Sequence, residues 1–171
     1  MPSESFDVNW SDVQLVAQPT NMSCWAAAAA MVVGWRDRIS IDPAAVADGT
    51  GEWAAYANGL DPADVPTLAE AWGLEMEPLQ CYTIDGLRKL LEEKGPLWVC
   101  AAVPSLHAVV VTGMYSDGSV GNTFVRVSDP WPPGQGSQYV RSLRRFAEEY
   151  EGVSDFPSVS VQVLHAESGP I

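Results

Sequence analysis

An apolar run of eleven residues, Cys24 to Gly34, most strongly constrains how this chain folds. The segment contains five alanines in a row, and alanine has the highest helix propensity. A polar loop from Gln18 to Ser23 leads into it, so Ser23 is expected to cap a helix that runs to about Arg36. The apolar run is about half of the ~20 residues that a membrane span requires. The sequence therefore predicts a helix buried in a globular core.

The composition and charge are those of one acidic globular domain. The 171 residues are 47% hydrophobic and 18% charged, and 22 acidic against 9 basic side chains give a net charge of −13. Nucleic-acid binding and adsorption to anionic membranes both depend on lysine and arginine. No nucleic acid and no membrane are therefore expected among its partners.

The first twelve residues are polar and acidic, and we expect residues 1–12 to form a flexible N-terminal arm. They lack the basic and apolar regions of a signal peptide. The chain is therefore expected to be cytoplasmic, or exported without a Sec-type signal, and not transmembrane. Residues 13–171 are expected to form a single domain.

The order of the predicted elements indicates an α+β fold. Residues 13–95 are expected to be mainly helical and residues 96–171 mainly β. Helices are predicted near 24–36, 43–49, 67–72, 83–94 and 142–150, and strands near 97–103, 107–115, 123–128 and 158–165. Helices followed by strands favour helices packed on one side of an antiparallel sheet.

Cys24 stands where the polar loop enters the helix, and this position favours a nucleophile. A helix N-terminus carries about half a positive charge, which stabilises a thiolate. The backbone N–H of Cys24 is free at the helix start. Gln18, six residues earlier, is expected to aim its amide N–H₂ into the same space, so that the two donors form an oxyanion hole. The alternative for Cys24 is a structural role as a small buried residue.

The pattern Gln18-x₅-Cys24-Trp25 at the entry to an apolar helix resembles the active-site segment of papain-like cysteine proteases. It is closest to the compact bacterial branch, which includes avirulence-effector proteases of plant pathogens and double-glycine leader peptidases. The resemblance implies a papain-like fold, with a helical part led by the nucleophile helix and packed on an antiparallel sheet. It also implies a Cys nucleophile, a His base and an orienting Asp or Asn in that order, which here are Cys24, His107 and Asp129.

The local sequence also brings the histidine close to the aspartate. His107 opens a valine-rich strand and Asp129 ends the next one, and a turn centred near Gly118 lies 11 residues from each. The two side chains are then expected to face each other about 5 Å apart, with the carboxylate at Nδ1. In the resembling family, a Trp two positions after the orienting residue shields this bond from water. Trp131 holds that position, and Trp25 matches the family's Cys-Trp pair.

These features together predict a cysteine peptidase that hydrolyses peptide bonds through an acyl-thioester intermediate. No metal and no cofactor are expected, and the partner is a peptide or protein substrate, with a protein inhibitor as a further candidate. The same residue order also serves amidases, deamidases and transglutaminase-like enzymes. A catalytically silent peptide-binding module of the same fold is the non-enzymatic alternative.

The remaining cysteines and the second histidine offer weaker alternatives. Cys81 and Cys100 are expected to be structural, and the cysteine spacing lacks the C-x₂₋₄-C pair of a zinc site. His165 is an alternative base, but it comes late in the chain and no aspartate follows it on a neighbouring strand.

Overall fold

The computed structural model describes residues 4–102 and 105–167. The helices of these ranges are α1 (Cys24–Asp37), α2 (Pro43–Thr50), α3 (Trp53–Asn58), α4 (Val65–Trp72), α5 (Ile84–Lys94) and α6 (Leu143–Glu151). The strands are β1 (Phe6–Asn9), β2 (Leu74–Met76), β3 (Leu97–Ala102), β4 (Leu106–Ser116), β5 (Thr123–Asp129), β6 (Ser137–Ser142) and β7 (Val163–Ala166). In these ranges no helix has both the length and the apolarity to cross a membrane.

All strand pairs belong to one antiparallel sheet, in the order β2-β7-β3-β4-β5-β6. The first half of the long strand β4 pairs with β3. The second half of the same edge of β4 pairs with β1. The α+β prediction is confirmed, and so is the antiparallel sheet. Near one end of the sheet, β4 carries His107 and its neighbour β5 carries Asp129.

Helix α1 lies in the hydrophobic core, as its sequence predicts. Its residues from Trp25 to Val33 are at most 3% exposed, and they pack with one face of the sheet, on the side of Ala108 and Val110. The alanines have short side chains, so the sheet and the neighbouring helix α2 approach the α1 backbone closely. This packing fixes the direction of the helix and therefore the place of Cys24 at its N-terminus.

Two expectations about the fold are corrected. Helices cover both faces of the sheet, because α5 and α6 pack on the side opposite α1. Residues 6–9 form strand β1 rather than a flexible arm, since Phe6, Val8 and Trp10 place apolar side chains at every second position against that second core. Residues 1–3 lie outside the described residues.

Candidate active site

Cys24 is the first residue of α1, and its neighbours leave the end of the helix uncapped by a side chain. The Ser23 hydroxyl accepts a hydrogen bond from the Thr20 N–H at 3.1 Å and donates to the Thr20 carbonyl at 3.3 Å, so it does not cap the helix. Ser23 is the N-cap by position only. The Cys24 N–H, at the start of the helix, has no intrahelical acceptor and is directed outward beside a partly exposed thiol.

His107 and Asp129 are joined by a hydrogen bond of 2.6 Å between Nε2 and Oδ1. The strand register differs from the prediction, because Val110 faces Ser128 and Val111 faces Val127. A bulge between Val111 and Gly113 and the long connection at 117–122 shift the pairing by two residues. His107 and Asp129 are therefore diagonal neighbours, a separation that their side chains bridge.

The orientation of the imidazole also differs from the prediction. Nε2, not Nδ1, bonds to the carboxylate, so Nδ1 is the ring nitrogen that remains for the Cys24 thiol. The Ala108 N–H points at Cys24 Sγ from 3.5 Å. Burial lowers the pKa of His107, but the hydrogen bonds and charges of Asp129 and Cys24 outweigh it and raise that pKa to about 10. The site thus favours a protonated His107 beside an ionised Asp129.

Three donors converge on the Asp129 carboxylate. Oδ1 accepts from His107 and, at 2.9 Å, from the backbone N–H of Trp131, while Oδ2 accepts from the Tyr139 hydroxyl at 2.8 Å. Burial favours the neutral acid, but these donors and the charge of His107 hold the pKa of Asp129 below its usual range. Sequence reasoning missed Tyr139, because it did not find strand β6, which carries it beside β5.

A groove of about 820 Å³ opens in front of the thiol. Most of its walls are apolar, and one exposed carboxylate, Asp61, lies among them outside the Cys24, His107 and Asp129 group. Other residues along the groove include Met22, Leu60, Val65, Leu106, Phe156, Val159 and Val161.

The family model of the papain-like cysteine protease AvrRpt2 matches residues 4–151, which include this whole cluster. The chain belongs to this family of cysteine peptidases. Its fold is similar to a crystal structure described as a C39-like peptidase from Bacillus anthracis, with a TM-score of 0.64 at 12% identity over 96% of this chain and 99% of that one. No curated protein matches the sequence.

In this AvrRpt2-family peptidase, Gln18 does not stand where we expected it. Its side chain is fully buried, and Nε2 donates to the carbonyls of Thr20 and Asn21 at 2.9 and 3.0 Å, while Oε1 has no partner among the described residues. The Gln18 backbone also bonds to Pro130 and Gly134. Gln18 therefore joins the loop before Cys24 to the loop after Asp129, and its amide lies outside the groove lining.

Replacing Gln18 by alanine is expected to lower Tm and kcat/KM together. The loop loses two hydrogen bonds, each of which contributes about 1 kcal/mol to the free energy of unfolding. Thermal unfolding and peptide hydrolysis, measured on the same preparation, check this. A fall in kcat with an unchanged Tm would instead make Gln18 a direct oxyanion donor. Gln162→Ala, which removes another buried side-chain amide that donates to two backbone carbonyls, lies outside the groove lining and serves as the matched control.

The two tryptophans have different positions. Trp25 is buried, and its Nε1 donates to the Ala55 carbonyl while its own carbonyl accepts from Trp98, so it ties α1 to α3 and β3. Trp131 is 47% exposed and lies along the groove, with its backbone rather than its indole bonded to Asp129. Trp25 also reaches the groove lining.

His165 and Cys81 lie outside the groove lining, whereas Cys100 is part of it. His165 is fully buried, and its ring bonds to Glu77 at 2.6 Å and to the Ala166 carbonyl at 2.9 Å, so it cannot reach a substrate. Burial, with a contribution from Cys24, raises the pKa of Cys100 to about 12, which keeps it a neutral thiol. Cys81 is exposed outside the groove lining.

Proposed function

We propose that this peptidase hydrolyses peptide bonds through a triad of Cys24, His107 and Asp129. The observation that carries the proposal is the His107 ring, whose Nε2 bonds to Asp129 Oδ1 at 2.6 Å, while Cys24 Sγ lies 3.5 Å from the N–H of the next residue, Ala108. A cysteine becomes a strong nucleophile beside a base that a third group orients. The apolar groove in front of the thiol suits a peptide or protein substrate.

The reaction begins from a Cys24 thiolate and a His107 imidazolium. The thiolate attacks the carbonyl carbon of the scissile bond, and the carbonyl oxygen becomes an oxyanion. The Cys24 N–H at the start of α1, with the positive end of the helix, stabilises this oxyanion. Gln18 supports the step by holding the loop that presents Cys24.

His107 then donates its Nδ1 proton to the leaving amine as the C–N bond breaks, which leaves an acyl-thioester on Cys24. Water enters, His107 accepts one of its protons, and the resulting hydroxide attacks the thioester. The C–S bond breaks, the acid leaves, and the proton on His107 restores the ion pair with the thiolate. Asp129 stays ionised throughout and stabilises each imidazolium.

Treatment with an epoxysuccinyl peptide, which alkylates the thiolate of cysteine peptidases, tests the proposal. Peptide mass mapping is expected to find the adduct on Cys24 within minutes and not on Cys81, although Cys81 is the more exposed thiol. Equal labelling of the two cysteines would contradict an activated Cys24. A peptide library read by mass spectrometry then separates hydrolysis, which creates new termini, from deamidation or amine transfer, which change side-chain masses.

A further inference from the structure

Tyr139 lies on the edge strand β6, beside the end of β5 that carries Asp129. The pairing places Val127 opposite Tyr139 and Asp129 opposite Ser137, so Tyr139 and Asp129 are diagonal neighbours across the two strands. The phenol hydroxyl reaches Asp129 Oδ2 at 2.8 Å. Tyr139 is not among the residues that line the groove, so it acts on the reaction only through this carboxylate.

The two oxygens of Asp129 are held unequally. Oδ1 has two donors, His107 and the Trp131 N–H, whereas Oδ2 has the Tyr139 hydroxyl as its donor among the described residues. Asp129 is only 8% exposed, so water does not readily replace a lost donor. Burying a carboxylate oxygen without a hydrogen-bond donor costs free energy. The carboxylate lowers this cost by rotating to another position.

The Tyr139 side chain is held both in its protonated form and in its position. Burial, which outweighs the nearby Arg141, raises the pKa of Tyr139 to about 12, so the phenol keeps its proton across the working range of the enzyme. The Arg141 guanidinium lies over the Tyr139 ring, 4.6 Å from its centroid, and bonds on its other side to Glu149 of α6 at 3.0 Å. These half-buried contacts hold the ring against the sheet.

We propose that Tyr139 is a positioning residue for the triad: its hydroxyl holds Asp129 Oδ2 so that Oδ1 stays bonded to His107 Nε2. This inference rests on the proposed function, because it assigns a role within the same Cys24, His107 and Asp129 group. Without the hydroxyl, the carboxylate rotates and its bond to His107 is lost part of the time. The imidazolium is then less stable, and less Cys24 is present as thiolate.

The substitution Tyr139→Phe removes only the hydroxyl oxygen. We expect kcat to fall about tenfold with KM unchanged, the rate equivalent of one hydrogen bond to a charged group. Tyr150→Phe is the matched control, because the Tyr150 hydroxyl also makes one hydrogen bond, to the Gln80 carbonyl at 2.9 Å, and Tyr150 lies outside the groove lining. Tyr150→Phe is expected to lower Tm about as much as Tyr139→Phe does, and to leave kcat unchanged.

A double-mutant cycle separates positioning from a general structural effect. In an Asp129→Ala background, Tyr139→Phe is expected to cause no further loss of kcat, because the carboxylate through which it acts is gone. A loss of the same factor in both backgrounds would overturn the proposal. A loss of less than twofold in the single variant would overturn it as well.

A measurement without substrate keeps this inference distinct from the proposed function. The rate of Cys24 alkylation by iodoacetamide at pH 6, in a Cys81→Ser background, reports the thiolate alone. Tyr139→Phe is expected to slow it about tenfold, in step with the loss of kcat. If alkylation slows but the unmodified enzyme cleaves no peptide, the peptidase proposal fails and the role of Tyr139 stands. If the enzyme cleaves peptides but alkylation is unchanged, the role of Tyr139 fails.

Discussion

Replacing Cys24 by alanine is expected to lower kcat/KM by on the order of 10⁴-fold or more, because it removes the thiol beside His107. Cys100, the other thiol along the groove, is kept neutral by burial. Alanine fits the first turn of α1, and the thiol is only partly buried, so the fold is expected to persist. Steady-state hydrolysis of a fluorogenic peptide, with circular dichroism on the same sample, checks both statements. Cys81→Ala makes the same change at an exposed thiol and is expected to retain full activity.

The companion substitution His107→Ala tests whether the two residues act as a unit. It is expected to cost nearly as much as Cys24→Ala, and the double variant is expected to be no worse than the more damaging single one. Such non-additivity follows because the imidazole has no catalytic task without the thiolate that it activates. If Cys24→Ala retained more than about a hundredth of the activity, another nucleophile would have to be found.

The three residues of the proposed triad are predictable from the sequence because each is tied to a local pattern. Cys24 begins an apolar helix, His107 lies at the start of a strand and Asp129 ends the next strand. Helix and strand propensities both act over only a few residues. Their chain order then matches that of papain-like enzymes. Helix α1 and the later helices α5 and α6 are predictable for the same reason, since Thr83 and Ser142 cap the latter two as expected.

The finer geometry depends on distant contacts that the sequence does not display. The two-residue register shift results from the long connection at 117–122 and the bulge on β4, and the bond of the carboxylate to Nε2 depends on where Asp129 then lies. Strand β6 alternates weakly, with Val140 pointing to solvent, so Tyr139 carries no local signal of its role. Gln18 is bound by carbonyls of its own loop, which residue spacing alone does not indicate.

Replacing Asp129 by asparagine is expected to shift the pH dependence more than the activity at neutral pH, whereas Asp129→Ala is expected to lower kcat/KM about 10²-fold. Asparagine keeps an oxygen that accepts from His107 Nε2, but it removes the charge that helps to raise the pKa of His107 to about 10. The wild-type enzyme is expected to lose activity as the pH rises toward 10, when the imidazolium loses the proton that it gives to the leaving amine. In Asp129→Asn this alkaline limb is expected one to three pH units lower.

The difference in stability between wild type and Asp129→Asn is also expected to depend on pH. Because the folded pKa of His107 lies above its ordinary 6.5, its stabilising effect is full below about pH 6.5 and is lost as the pH rises toward 10. The lowered pKa of Asp129 adds stability above its ordinary value near 4, and this part is lost as the pH falls. The Tm difference between wild type and Asp129→Asn is therefore expected to be largest between about pH 4 and 6.5 and to shrink toward pH 10. A difference that stayed constant from pH 5 to pH 10 would mean that His107 and Asp129 are not a charged pair in the folded protein.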